Sequence, residues 1–145
     1  MGKTFTYEEA QTLLPVLGAL LLKARDAALR AQGFEEEMQA LSQRIFLSGG
    51  LHVDVSAAAT RRAERVKAMQ EASSTIEEIE QVGVTVAENE EGMLEFPTLL
   101  DGRMVLLCWK AGEDSITKWR ESEDEASVRH EVDARFFRKE RERPN

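Results

Sequence analysis

Residues 6–48 read TYEEAQTLLPVLGALLLKARDAALRAQGFEEEMQALSQRIFLS, and the spacing of apolar residues in this stretch decides the fold class. Thr6 followed three residues later by Glu9 is a capping box, in which the hydroxyl accepts the N–H of Glu9 and the carboxylate accepts the N–H of Thr6. A helix is therefore expected to begin at Tyr7. From there Leu13, Leu17, Leu20, Ala24, Ala27, Ala31, Phe34, Met38, Leu41 and Ile45 recur in alternating steps of four and three, the signature of a heptad seam. The seam keeps its phase through Gly33, which predicts one helix over residues 7–48, weakened where glycine costs about 1 kcal/mol relative to alanine. Pro15 should clash with the carbonyl of Gln11 at a cost of about 3 kcal/mol, which predicts a kink or a separate first turn ending near Leu14.

Ser48, Gly49 and Gly50 stop this helix. Ser56 then caps a second one, expected over residues 57–82, with Ala59, Ala63, Val66, Met69, Ser73, Ile76 and Ile79 on its apolar stripe. At 1.5 Å per residue the two helices would measure about 63 Å and about 39 Å, an unequal antiparallel hairpin spanning residues 6–82. Part of the longer seam then needs cover from the rest of the chain or from a second copy. This predicts a homodimer, with Leu17, Leu20, Phe34, Met38, Leu41 and Ile45 as candidate interface residues.

After Gly83 the period changes. Val84 and Val86 alternate with polar residues, residues 88–92 read as a turn, and Met93 to Phe96 read as a strand ended by Pro97. Asp101-Gly102 supplies a second turn, and Met104 to Trp109 is a continuous apolar run, expected of a strand covered on both faces. The expected fold is α+β: a coiled-coil-like helical hairpin followed by a small antiparallel sheet of about three strands over residues 83–133. Residues 134–145, basic through Arg135, Arg138, Lys139, Arg141 and Arg143, read as a solvated, fraying helix end, and Val128 to Phe137 as either a strand or a short helix. At 145 residues the chain is expected to form a single domain.

The formal charge is −8, with −3 falling on residues 1–80 and −5 on residues 81–145. Neither half offers the basic face that nucleic-acid binding requires. The single cysteine, Cys108, forms no intramolecular disulfide, and the chain opens without a secretion-signal pattern, which together predict the cytoplasm. The longest apolar run, Leu13 to Leu22, is shorter than the ~20 residues a bilayer crossing needs, so no membrane partner is expected.

Phe5-Thr6-Tyr7-Glu8-Glu9-Ala10 with Leu13-Leu14-Pro15, Gly92-Met93-Leu94-Glu95-Phe96-Pro97, and the block Leu107-Cys108-Trp109-Lys110-Ala111-Gly112-Glu113 followed by Ile116 and Trp119 resemble a small bacterial family known as domain of unknown function 2203. The resemblance spans about residues 5–133. It implies a coiled hairpin with a compact C-terminal part, and no assigned activity. Two positions depart from the family pattern: Arg120 stands where histidine is usual, and Glu95 where aspartate is commoner.

Candidate chemistry is sparse. Cys108 lies mid-strand and reads as a small buried hydrophobe before it reads as a nucleophile. Glu113, at a strand end past a glycine, is the best single polar candidate; Trp119, Arg129 and His130 would line a ligand pocket with it if the C-terminal segment folds back, and a salt-bridge network explains the same residues. His52 with Asp54, and His130 with Asp133, are too weakly patterned to predict a metal site. No phosphate loop or serine-nucleophile motif occurs, and no cofactor is expected. The reading that follows is a non-enzymatic, self-associating protein-interaction module, with a small-molecule-binding or catalytic protein as the alternative.

Overall fold

A computed structural model describes residues 3–47, 49, 55–87, 92–124 and 128–137. The elements run α1 (Tyr7–Leu47), α2 (Val55–Gln81), β1 (Thr85–Ala87), β2 (Met93–Leu100), β3 (Arg103–Lys110), β4 (Lys118–Glu121) and β5 (His130–Glu131). The chain divides into two compact units, one of Met1–Leu21 with Glu77–Asn145 and the other of Leu22–Ile76. No described helix is long and apolar enough to cross a membrane.

In the first unit the capping box forms as its chemistry requires. Thr6 N donates to Glu9 Oε1 at 2.8 Å and Glu9 N to Thr6 Oγ1 at 3.1 Å. Pro15 neither ends nor splits α1. Its ring sits on the exposed side, while Leu14 and Leu17 beside it are buried in the core, and that burial offsets the missing backbone bond. Helix α1 buries Ala10, Leu14, Leu17 and Leu21 here, whereas Leu13 and Leu20 only flank the core. The expected seam is thus shifted in its first turns, because a helix lying on a sheet presents a broader stripe than one lying on a second helix.

The sheet is an antiparallel meander of five strands in the order β1-β2-β3-β4-β5, not three. Strands β4 and β5 escape the apolar pattern because each is short and carries mostly charged or polar side chains, Trp119 excepted. Nor does Pro97 end β2, which runs on to Leu100. The carbonyl of Pro97 accepts Phe5 N at 2.7 Å, so the backbone polar groups of Pro97 face away from β3. Proline's absent donor there breaks no ladder bond. The Asp101-Gly102 turn joins β2 to β3 in a tight hairpin, both residues having positive φ, 52° and 80°, as a two-residue connection favours.

Leu94, Phe96 and Leu100 of β2 with Val105, Leu107 and Trp109 of β3 form the inner face, packed with Phe5, Ile79, Trp119 and Phe136. Two side chains of α1, four residues apart, grip the backbone of Ile116: Tyr7 Oη donates to its carbonyl at 2.7 Å, and Gln11 Oε1 accepts its N–H at 2.6 Å. The C-terminal segment also contributes. Residues 134–137 form a helical turn that buries Phe136 and sets Phe137 edge-on to Tyr7 at 4.9 Å. The solvated end expected from residue 134 therefore begins too early, since a phenylalanine pair outweighs its charged neighbours; residues 138–145, with the other basic side chains, lie outside the described residues.

The second unit pairs the rest of α1 with α2. Arg30 meets Glu71 at 2.7 Å and Glu37 meets Arg61 at 3.1 Å, so the helices run antiparallel. Its buried side chains among the described residues are Ala24, Ala27, Ala31, Ala68 and Thr75, the threonine hydroxyl donating to Glu71 O at 2.7 Å. The expected stripe of α2 holds at its C-terminal end, where Ile76 is half-buried and Ile79 buried, and fails before it: Ala59, Ala63, Val66, Met69 and Ser73 are exposed, while Ala68 and Thr75, outside that stripe, are buried. The buried positions of α2 in this unit carry small side chains, while its Val66 and Met69 stand exposed.

Two glycines of α1 should respond oppositely to substitution. A Cβ on Gly18 would lie 3.2 Å from the Trp109 ring, while one on Gly33 meets nothing within 4 Å. Gly18→Leu should destabilise by about 1–3 kcal/mol through overpacking, and Gly33→Ala should stabilise by up to about 1 kcal/mol. Thermal melts of the two variants check the pair of signs.

Candidate functional site

The polar features of the first unit fall on both faces of the sheet. On the inner side, Trp119 is buried and donates Nε1–H to Glu131 O at 3.0 Å. His130, its cross-strand partner, stacks on it at 4.7 Å between ring centroids, and His130 Nε2 lies 3.1 Å from Asp124 Oδ2. The N–H of Glu121 also donates to Asp124 Oδ2, and these two contacts, the backbone bond first, hold the Asp124 carboxyl below its usual range. Asp133, read in the sequence as a possible partner of His130, instead binds Arg135 at 2.9 Å. His52 and Asp54 lie outside the described residues, and among the described residues no three His, Cys, Asp or Glu side chains gather as a metal site would require.

Glu113 sits apart from this stack. Its Oε1 accepts Lys110 N at 2.8 Å, and its carbonyl accepts Trp109 Nε1–H at 2.9 Å. It closes the turn after β3 and anchors the indole. Arg129, one residue from His130, has its Nη2 3.2 Å from Met93 Sδ. The four sequence candidates are thus distributed over a turn closure, a stack and a neighbouring arginine, with Trp119 and His130 the pair brought into ring contact.

The outer face holds a cluster that sequence reasoning did not assemble. Glu95 and Cys108 are cross-strand partners, and Leu106 pairs with Arg120, which puts Glu95, Cys108 and Arg120 on three adjacent strands. Arg120 grips Glu95 with two bonds, Nε to Oε2 at 2.6 Å and Nη2 to Oε1 at 3.1 Å, a bidentate geometry that lysine could not reproduce. The pair is nearly dry, with the arginine side chain 16% and the glutamate side chain 7% exposed. The bond to Glu95 raises the Arg120 pKa further above its ordinary value. Cys108 Sγ lies 3.8 Å from Glu95 Oε2.

The cluster does not prepare a nucleophile. Burial pushes the Cys108 thiol up to about 11, opposed by the Arg129 charge, reinforced by Glu95 and opposed again by Arg120. From the usual 9.0 to about 11, the thiolate fraction at pH 8 falls about 100-fold. Native protein should therefore react with a maleimide or iodoacetamide at least about 100-fold more slowly than unfolded protein, and comparable rates would show the thiol to be activated. Because the folded-state pKa is the higher one, this thiol favours the native state below pH 9 and loses that contribution as the pH rises towards 11.

No curated protein and no solved structure matches the chain. The family model described as uncharacterized conserved protein, DUF2203, matches residues 3–136; this span takes in α1, α2, the whole sheet and the Glu95–Arg120 pair, and the chain belongs to that family.

Proposed function

We propose that this protein is a non-enzymatic interaction module that associates with itself through its two-helix unit. The observation that supports this reading is the poverty of that unit's core among the described residues: the buried side chains there are alanines and one threonine, while Leu22, Leu29, Val66 and Met69 stand exposed. Helices in water owe most of their stability to tertiary packing of an apolar face, and an alanine brings a single methyl, worth about 0.8 kcal/mol when buried. A second copy supplies the missing apolar contact. Of the α1 residues expected at that contact, Leu17 is committed to the core of the other unit and Leu20 packs beside it, while Phe34, Met38, Leu41 and Ile45 are half-buried and continue the stripe of Ala24, Ala27 and Ala31. The polar groups of the sheet support the absence of catalysis, since Glu95 is neutralised by Arg120 and Cys108 is held as a thiol.

Light scattering coupled to gel filtration tests the reading. The expected molar mass is about twice the 16.3 kDa of the chain. A mass of 16.3 kDa persisting at high micromolar concentration, with full helicity, would overturn it.

A further inference from the structure

We propose that the outward face of α2 is the self-docking surface, and that a second copy of this chain lies antiparallel on it about a two-fold axis near Met69 and Gln70. This deepens the self-association reading and rests on it.

The helical period comes first. At 100° per residue, Ala59, Ala63, Val66, Met69 and Ser73 share one face of α2, opposite the line on which Ala68 and Thr75 are buried against α1. Val66 is 43% and Met69 48% exposed, and both lie near the middle of the helix, flanked on the same face by residues small enough for a second backbone to approach closely.

Charge then selects the occupant and its direction. The first half of α2 carries Arg61, Arg62, Arg65 and Lys67 against Glu64, and the second half carries Glu71, Glu77, Glu78 and Glu80 with no lysine or arginine. Arg61 and Glu71 are engaged with Glu37 and Arg30 of α1, while Arg62 and Glu77 are exposed and lie on the outward face. A parallel copy would set like charges together along the whole helix. An antiparallel copy with residue 69 opposite residue 70 sets Arg62 opposite Glu77 of the second copy and Val66 opposite its Ser73, and the two-fold repeats both contacts. One surface thus satisfies itself, as an isologous contact requires, and its flanking charges specify orientation as they do in coiled coils.

The test uses the full chain and its dimer dissociation constant from sedimentation equilibrium. Arg62→Glu and Glu77→Arg should each weaken self-association about tenfold or more, because each sets like charges opposite one another twice, with the circular dichroism of the parent retained. An equimolar mixture of the two variants should recover parental affinity, since every facing pair is then of opposite sign; that recovery requires both chains to be folded. Single variants that dimerise like the parent, or a mixture that does not recover, would overturn the α2 contact while the parent's own dimer keeps the module reading in place. A monomeric parent would remove both.

Discussion

Replacing Arg120 by alanine should lower the unfolding free energy by about 3–5 kcal/mol, because it strands a buried carboxylate without its counter-charge. Glu95 is buried in the middle of the sheet, and the described contacts to its oxygens come from Arg120 and the Cys108 thiol. A thiol is a weak donor and does not replace a guanidinium. Removing both partners is a different experiment. The double variant Glu95→Leu with Arg120→Met should recover most of the loss, since two apolar side chains of similar volume cost less than one unpaired charge. Urea titration of the single and double variants measures the difference. A loss below about 1 kcal/mol for Arg120→Ala would mean that the pair behaves as a surface salt bridge.

Phe96→Ala should cost about 3–5 kcal/mol by removing a large side chain from a site that cannot collapse. Phe96 is fully buried at the centre of β2 and meets Phe5 edge to face, with ring centroids 5.8 Å apart and planes at 89°. Leu99, three residues on and on the opposite face, is 42% exposed, and Leu99→Ala should change stability by less than about 1 kcal/mol. The contrast measures which side of the sheet holds the core. Equal losses in the same urea titration would mean that the outer face is covered as fully as the inner one.

Legibility in the sequence followed the range of the interactions involved. The capping box is closed within four residues, and both of its bonds form. The Asp101-Gly102 turn depends on the φ of its own two residues, and it sits where its composition places it. The phase of α2 is another matter. Hydrophobicity alone turns Val66 and Met69 inward, yet both are exposed, and the buried positions of that helix in the second unit are Ala68 and Thr75. In β3 the apolar run suggested cover on both faces, yet Met104 is 50% exposed, and on the outer side of that strand Cys108 is the buried residue.

The sequence by itself determined the helix start, the persistence of α1 through Gly33, the hairpin turn and the α+β class, because these depend on backbone preference and on periodicity over a few turns. Only the tertiary structure decided which stripe of α2 faces α1, how Pro97 fits within a strand, and that Glu95, Cys108 and Arg120 meet. Such contacts join residues 13 and 25 positions apart. Their geometry follows from strand register and from how closely two surfaces approach, quantities that no local pattern of residues contains.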